Sequence, residues 1–237
     1  MIQRPRAAVS WSGGKDSLAA VAATRDHLDL VCALTMFDES GGRSRSHGLR
    51  PELIAAQAQR LGLRSVTARC SWSTYDEAFT GALRGLAQDG ITHVVFGDLV
   101  YPEHREWAEA RCAEAGITAV EPLFGISTST LFDAFVASGA RALMVTVREP
   151  WLDDTWLGRP LSAEMKDVFA ARGIDPCGER GEYHTAVVDS PLFSRPVVVT
   201  HGERVRRGEC FALDLIPDAL IPDAVIPAAA IPDAAGD

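Results

Sequence analysis

A glycine-rich segment near the beginning of the chain has the residue types of a phosphate-binding loop. Residues 9–17, "VSWSGGKDS", lie between an apolar run typical of a strand and a run typical of a helix. The first N–H groups of a helix, together with the positive end of its dipole, favour an anion at this place. Gly13 and Gly14 would let the backbone approach a phosphate closely, and Lys15 adds a positive charge. The segment therefore predicts phosphate binding by the residues of this loop, which are Ser12, Gly13, Gly14, Lys15, Asp16 and Ser17.

The order of residues in this loop excludes two common nucleotide-binding motifs. A Walker A motif requires G-x-x-x-x-G-K-[ST], whereas here Asp16 follows Lys15 and Val9 occupies the position of the first glycine. The dinucleotide motif G-x-G-x-x-G is also absent from the loop. The charge of Asp16 would oppose phosphates unless a cation lies between them, so we expect Asp16 to bind Mg²⁺ directly or through water. A helix-capping role for Asp16 or Ser17 is compatible with this prediction.

A second polar segment, "CGERGEYHT" at residues 177–185, combines two carboxylates, a histidine and two glycines. Glu179 and Glu182 have the acceptor oxygens that an ammonium ion requires, and ammonium must lose a proton before it can attack. If a strand begins at Glu182, that residue and His184 lie on the same face. A glutamate and a histidine on one face suit base catalysis or acceptor binding. The alternative is a hydrogen-bonded turn that enters a strand.

Five further residues are predicted to lie near the loop. Gly97 and Asp98 follow an apolar strand-length run and would share its carboxyl end, although Asp98 could instead cap the next helix. Met36, at the end of an earlier strand, is a candidate for contact with adenine through its backbone. His47 lies in a stretch rich in Gly, Ser and Arg, where an exposed loop histidine is the alternative. Arg105 could contact a phosphate or an acidic substrate, or form an ordinary surface ion pair.

The elements that must position these residues alternate in type along the first half of the chain. Five apolar runs of strand length are separated by four helical segments between residues 6 and 124, two of which begin at Pro51 and Pro102. This alternation predicts an α/β fold with a doubly wound, parallel, five-stranded sheet of the Rossmann-like HUP type, covered by helices on both faces. In such a sheet, ligands bind outside the carboxyl ends of the strands. We assign residues 1–125 to this domain.

The remainder of the chain predicts a smaller C-terminal α/β domain, residues 126–214, closely joined to the first. It is rich in strands towards its end, with turns expected at "HGE" (201–203) and "RRGE" (206–209). Residues 215–237 form a proline-punctuated repeat of the type I-P-D-A, and proline at this density opposes both helix and sheet. The repeat therefore predicts a low-complexity, disordered tail.

Composition and charge restrict the class of protein. The chain has 237 residues and a net charge of −9, and its five cysteines form no C-x-x-C motif, which argues against disulfides and against a structural zinc site. Five of the net negative charges lie in residues 213–237, and no basic stripe that would bind nucleic acid is visible. The apolar runs are too short to span a membrane and no signal peptide is evident, so a cytoplasmic protein is expected.

The loop sequence S-G-G-K-D-S resembles the pyrophosphate-binding loop of the PP-loop ATP pyrophosphatases, which cleave ATP between the α and β phosphates. Four further segments follow in an order similar to that of the diphthine–ammonia ligase family, and the resemblance covers about residues 6–200. Of these, "GERGEYHT" is the most specific, because most other PP-loop enzymes lack it. The segments are "HGLRPELIAAQAQRLGL", "VFGDLVYPEHREWAEARCAEAGI", "TWLGRPL" and "DPCGERGEYHTAVVDSPLF".

The resemblance implies an ATP-dependent, AMP-forming ligase of the amidase type that uses ATP and Mg²⁺. Such an enzyme adenylates a carboxylate acceptor, which can be a small molecule or a protein, releases pyrophosphate and takes its nitrogen from ammonium. Family members carry a histidine at the place of His47 and a Gly-Asp pair at the place of Asp98. The resemblance implies catalytic roles for Lys15, Asp16, Glu182 and His184. It implies contacts with the acceptor or ammonium for Arg105, Glu179, Glu182 and His184.

One position departs from the diphthine–ammonia ligases of eukaryotes and archaea, which have a second glutamate where this chain has His184. Histidine at this position resembles the bacterial branch of the family, and bacteria do not make diphthamide, so the resemblance leaves open whether diphthine is the acceptor. Two alternatives stay open, namely a tRNA-modifying PP-loop enzyme and an ATP-binding regulatory module without turnover. The former would require a basic face and often paired cysteines. The sequence also leaves open the acceptor, the nitrogen source and whether the chain forms a homodimer.

Overall fold

A computed structural model of the chain describes residues 4–218. Its N-terminal half confirms the expected alternation of strands and helices. The strands are β1 (Arg6–Ser10), β2 (Asp29–Phe37), β3 (Arg64–Arg69), β4 (His93–Val95) and β5 (Thr118–Val120). The helices between them are α1 (Lys15–Thr24), α2 (Pro51–Arg60), α3 (Tyr75–Gln88) and α4 (Pro102–Glu114). All neighbouring strands are parallel and their order is β3-β2-β1-β4-β5, which is the doubly wound arrangement that the sequence predicts.

Two apolar clusters cover the two faces of this sheet. Val9 and Leu18 belong to one cluster, with residues of α2 and of the C-terminal half, whereas Leu34 and Phe79 belong to the other, with residues of α3 and α4. The central strands therefore bury both faces, which explains why their sequences are continuously apolar rather than alternating.

The C-terminal half contains a second, antiparallel sheet, so the prediction of a smaller α/β unit is also confirmed. Its strand order is β7-β6-β9-β8, and a short 3₁₀ turn (Asp154–Trp156) follows β6. The elements are α5 (Thr128–Ala137), β6 (Arg141–Arg148), α6 (Met165–Ala171), β7 (Tyr183–Asp189), β8 (Val199–Arg207) and β9 (Cys210–Pro217).

Two details of this half differ from the sequence prediction. The turn expected at residues 201–203 lies inside β8, where the pairing with β9 shifts its register between His201 and Arg204, as in a β-bulge. Strand β9 continues to Pro217, three residues into the segment assigned to the tail, because Leu215 packs into the core. The turn at residues 208–209 joins β8 to β9 as expected. The rest of the predicted tail, residues 219–237, lies outside the described residues.

A buried glutamine in α2 joins the two halves of the structure. The side-chain amide of Gln57 donates hydrogen bonds to the carbonyl oxygens of Gly13, at 3.0 Å, and Val187, at 2.7 Å. Its side-chain oxygen accepts a bond from the indole N–H of Trp11 at 3.1 Å. The backbone N–H of Val187 also donates to the carbonyl of Gly13 at 2.9 Å. The glycine loop is thus held against strand β7 of the second sheet.

No helix among residues 4–218 combines the length and the apolar character needed to cross a membrane.

Candidate functional site

The candidate site lies where the strand order of the parallel sheet reverses, between β1 and β4. Chain connections leave these two strands in opposite directions, which opens a crevice at their carboxyl ends. This switch-point crevice has a volume of about 630 Å³, within the range of small-molecule sites. Its lining includes most of the predicted binding residues, namely Ser12, Asp16, Ser17, Met36, His47, Gly97 and Asp98.

The crevice continues into a pocket of about 300 Å³ that we call the Lys15 pocket. Residues from both halves of the chain line it, because the segment preceding β7 packs over the beginning of α1. The structure therefore brings together residues that are more than 160 positions apart in the sequence. They include Lys15, Asp16, His47, Asp98, Glu179 and His184.

The glycine loop has little room for side chains at its glycines. Gly13 has a φ of 82°, in the left-handed region, and a Cβ on Gly14 would lie 2.3 Å from Cε1 of His47. A Cβ on Gly97 would lie 2.9 Å from the carbonyl carbon of Asp16 and from the backbone nitrogen of Ser17. The end of β4 thus lies directly against the first turn of α1.

Helix α1 begins without a side-chain cap. The hydroxyl of Ser17 donates to the carbonyl of Gly14 at 3.0 Å, and neither it nor the carboxylate of Asp16 caps the helix. The backbone N–H of Lys15 donates to the hydroxyl of Thr185 at 3.1 Å. Uncapped N–H groups in a first helical turn are the donors that a bound anion satisfies.

Lys15 is buried at the centre of this arrangement. Its ammonium lies 2.7 Å from a carboxylate oxygen of Asp16 and also donates to the carbonyl of Cys177. Burial by itself lowers the pKa of Lys15, but the neighbouring charge and hydrogen bond of Asp16 outweigh it and the pKa is raised. Lys15 therefore keeps its charge at neutral pH, in a place from which water is largely excluded.

Three carboxylates, those of Asp16, Asp98 and Glu179, line the Lys15 pocket. Burial and the charge of Asp16 raise the pKa of Asp98, against an opposing effect of His104 at 3.4 Å. Burial raises the pKa of Glu179 to about 7, and repulsion from Asp16 adds to the effect. Lys15 supplies one positive charge against these three carboxylates.

Asp16 and Asp98 are the carboxylates that would hold Mg²⁺ if a phosphate ligand supplied the rest of its coordination. Within residues 4–218, no group of three or more His, Cys, Asp or Glu side chains is arranged to hold a metal ion. Mg²⁺ seldom needs such a cage, because it keeps waters and takes one or two carboxylates together with substrate phosphates.

Two histidines, one from each half of the chain, line one side of the Lys15 pocket. The rings of His47 and His184 stack with centroids 4.8 Å apart, and Nδ1 of His47 lies 2.8 Å from the carbonyl of Thr185. Burial lowers the pKa of His47 to about 4 and that of His184 to about 3. Both rings are therefore neutral at pH 7.

Two predicted residues do not face the site, and these assignments are corrected. Glu182 is fully buried, and its carboxylate accepts from the backbone N–H groups of Asp175 and Arg180, each at 2.9 Å, and from the Arg180 guanidinium at 2.8 Å. Strand β7 begins only at Tyr183, so the expected alternation with His184 does not apply. Glu182 therefore closes the turn that the sequence left as the alternative.

Arg105 is exposed on α4 and lies outside the lining of the crevice and of the Lys15 pocket. Its guanidinium pairs with Glu109 at 2.9 Å and with Glu121 at 3.7 Å. The surface ion pair is the interpretation that the structure supports, since the helical spacing of Arg105 and Glu109 brings the two side chains together.

The sequence analysis missed an aromatic wall on one side of the crevice. Trp72 is 69% exposed and stacks on Tyr75 with centroids 5.7 Å apart, and Tyr75 in turn contacts Trp107 at 5.8 Å. The guanidinium of Arg45 lies 5.1 Å from the Trp72 ring. The available signal was the position of "SWSTY" (71–75) directly after β3, whose carboxyl end lies at the same edge of the sheet.

Comparison with known families matches almost the whole described chain. Residues 5–119 match the model of the diphthamide synthase N-terminal domain, and residues 127–213 match the model of the diphthamide synthase C-terminal domain. The chain belongs to the diphthamide synthase family. The two matched segments correspond to the two sheets, and the candidate site of this family member lies where they meet.

Curated relatives are diphthine–ammonia ligases. The chain is 28% identical over 157 residues to the one from Schizosaccharomyces pombe, covering 62% of this chain and 26% of the relative. It is 29% identical over 123 residues to that of Mus musculus, with 50% and 46% covered, and 22% identical over 153 residues to that of Homo sapiens, with 63% and 57% covered. The chain thus spans between about a quarter and just over half of the length of these relatives.

A solved structure described as a predicted subunit of tRNA methyltransferase from Methanocaldococcus jannaschii aligns with this family member at a TM-score of 0.41. The two are 18% identical, and the alignment covers 78% of this chain and 97% of the other.

Proposed function

We propose that this protein is an ATP-dependent, AMP-forming ligase that adenylates a carboxylate acceptor and then joins it to ammonia as an amide. The observation that carries the proposal is the buried, protonated Lys15 beside the N-terminus of α1, in a pocket that adjoins a crevice large enough for a nucleotide. The curated relatives are diphthine–ammonia ligases, which supports the same class of reaction.

ATP would lie along the switch-point crevice. Adenine would lie against the aromatic wall of Trp72 and Tyr75, and Met36 lies in the same lining. The phosphates would then point towards the glycine loop, where the remaining N–H groups of the first turn of α1 and the ammonium of Lys15 provide positive charge.

In the first step, a carboxylate oxygen of the acceptor attacks the α phosphorus of ATP. A new O–P bond forms, the bond from the α phosphorus to the bridging oxygen breaks, and pyrophosphate leaves. Lys15 and the beginning of α1 stabilise the charge that develops on the leaving group. Mg²⁺, when bound, would neutralise phosphate charge, and Asp16 and Asp98 are the residues that would hold it.

In the second step, ammonia attacks the carbonyl carbon of the acyl-adenylate. A C–N bond forms, the C–O bond to AMP breaks, and the nitrogen must lose protons on the way. Glu179 lines the Lys15 pocket, and its pKa of about 7 suits a group that accepts a proton at neutral pH. Neutral His47 and His184 limit access of water to the intermediate from the other side.

The proposal is tested by incubating the protein with Mg-ATP, ammonium and a panel of carboxylic acids while AMP is quantified. We expect AMP only when both an acid and ammonium are present, and we expect Lys15→Ala to remove at least about 99% of it, which corresponds to about 2.7 kcal/mol of transition-state stabilisation. Arg25→Ala is the matched control, because Arg25 is an exposed residue at the other end of α1. AMP formation at an unchanged rate without ammonium would show that the reaction includes no transfer of nitrogen.

A further inference from the structure

A second cavity adjoins the switch-point crevice beyond the stacked histidines. It has a volume of about 360 Å³ and shares Arg45, His47 and Trp72 with the lining of the crevice. The loop between β2 and α2 forms one wall, and strands β6, β8 and β9 form the other. The volume is that of a site for a small organic molecule, and the shared residues show that the two spaces lie side by side.

The acidic side chains of this second cavity are already occupied. Asp214 accepts hydrogen bonds from Arg50 and Arg43, each at 2.6 Å in the shortest contact, and these bonds lower its pKa to about 2. Asp38 accepts from the hydroxyl of Ser40 at 2.6 Å and from the backbone N–H of Gly42 at 3.0 Å. The charge of Asp214 is therefore compensated by two arginines, whereas the donors that bind Asp38 are neutral and leave its charge in place.

Two arginines of the cavity keep unused donors. Arg207, at the end of β8, is exposed and has no hydrogen-bond or ion-pair partner within residues 4–218. Arg45 donates from Nε and Nη2 to the carbonyl of Cys70 and lies over the ring of Trp72, which leaves Nη1 without a partner in the described part of the chain. In a chain of net charge −9, two such guanidinium groups in one cavity mark a site for an anion.

We propose that the second cavity binds the acceptor, and that the acceptor is a small carboxylic acid with a second anionic group. One carboxylate reaches past His47 and His184 towards the α phosphate, and the other is held by Arg207 and Arg45. The claim that one carboxylate reaches the α phosphate rests on the proposed function. The claim that Arg207 and Arg45 hold a second anionic group rests on the charge of the cavity alone and is tested without turnover.

The test is isothermal titration calorimetry with succinate, glutarate and adipate, in the presence of Mg²⁺ and α,β-methylene-ATP. We expect at least one dicarboxylate to bind about tenfold more tightly than its own monoamide, and we expect Arg207→Gln to abolish this preference. Arg206→Gln is the matched control on the same strand. The Arg206 guanidinium pairs with Glu149 at 2.7 Å and covers Phe211, and it does not line the cavity.

The proposal is overturned if none of the three dicarboxylates binds, if the monoamides bind equally well, or if Arg207→Gln binds like the wild-type protein. Because Arg207 is exposed, we expect the variant to melt at the wild-type temperature, so a loss of binding is not a loss of fold. Dicarboxylate binding without AMP formation would support the cavity and contradict the proposed function. AMP formation only with monocarboxylic acids would support the proposed function and contradict the proposal for the second cavity.

Discussion

The imidazole rings of His47 and His184 stack with centroids 4.8 Å apart, although the two residues belong to different halves of the chain. They lie between the Lys15 pocket and the second cavity, and each lines both spaces. Burial keeps both rings neutral far below the ordinary pKa of histidine. The boundary that these two rings form therefore carries no charge at neutral pH.

This burial predicts a loss of stability in mild acid. A histidine with a pKa of about 6.5 in the unfolded chain and about 3 in the folded one binds a proton only when the chain unfolds, so stability falls as the pH drops from 6.5. Each of the two histidines would contribute about 1–2 kcal/mol of this loss by pH 5. Urea unfolding of wild-type protein and of His184→Asn at pH 7.5 and pH 5 measures the contribution of His184.

We expect the unfolding free energy to differ between pH 7.5 and pH 5 by about 1–2 kcal/mol less in His184→Asn than in the wild-type protein. Glu179 and Glu121, whose pKa values burial raises to about 7, act in the opposite direction, since the folded state binds their protons more readily as the pH falls. Their contribution is present in both proteins and cancels in the comparison. An identical pH dependence in the two proteins would show that His184 is not held neutral.

A methyl group at Gly97 is predicted to disturb the site. Its Cβ would meet backbone atoms of Asp16 and Ser17 at 2.9 Å, and backbone cannot move aside as a flexible side chain can. We expect Gly97→Ala to cost about 1–3 kcal/mol of unfolding free energy and most of the activity. Gly81→Ala is the control, because it lies in α3 with nothing within 4 Å and should stabilise the protein by about 0.5–1 kcal/mol. Equal stability of Gly97→Ala and wild type would contradict the close approach.

The two glutamates of residues 177–185 are predicted to respond differently to the same substitution. Glu182→Gln should lower the unfolding free energy by about 1–3 kcal/mol, because an amide cannot accept from all the donors that bind this buried carboxylate. Glu179→Gln should leave stability near the wild-type value and reduce turnover about 100-fold. Chemical denaturation and AMP formation measured on both variants separate the two effects. The reverse pattern would show that Glu182, and not Glu179, takes part in the reaction.

Trp72 is predicted to bind the nucleotide through its ring. Removing one base–aromatic stack costs about 1–3 kcal/mol, so Trp72→Ala should raise the KM for ATP about tenfold or more. Trp72→Phe keeps an aromatic face and should stay within a few-fold of wild type. Since Trp72 is exposed, neither variant should change the melting temperature. An unaltered KM for ATP in Trp72→Ala would show that the aromatic wall does not contribute to nucleotide binding.

The parallel sheet and the glycine loop could be predicted from the sequence because their signals are local. Apolar runs, the proline at the start of α2 and the order of residues around Lys15 all lie within short windows. The position of Gly97 and Asp98 at the same edge of the sheet as the glycine loop also followed, since carboxyl ends of adjacent parallel strands share one edge.

The roles of the glutamates could not be predicted in the same way. Whether Glu182 or Glu179 faces Lys15 depends on the turn before β7, and alternation along a strand applies only from Tyr183 onwards. The charge of the second cavity was hidden for a related reason. Arg45 and Arg207 are 162 positions apart, and only the packing of the two sheets brings them to one cavity.

The central claim is that ATP is cleaved between its α and β phosphates, and ³¹P NMR of the reaction products tests it most directly. With Mg-ATP, ammonium and an accepted carboxylic acid, we predict AMP and pyrophosphate in a one-to-one ratio, and no signals of either from Lys15→Ala. ADP and orthophosphate as the products would contradict the account, because the leaving group would then not be the pyrophosphate that the glycine loop is proposed to hold.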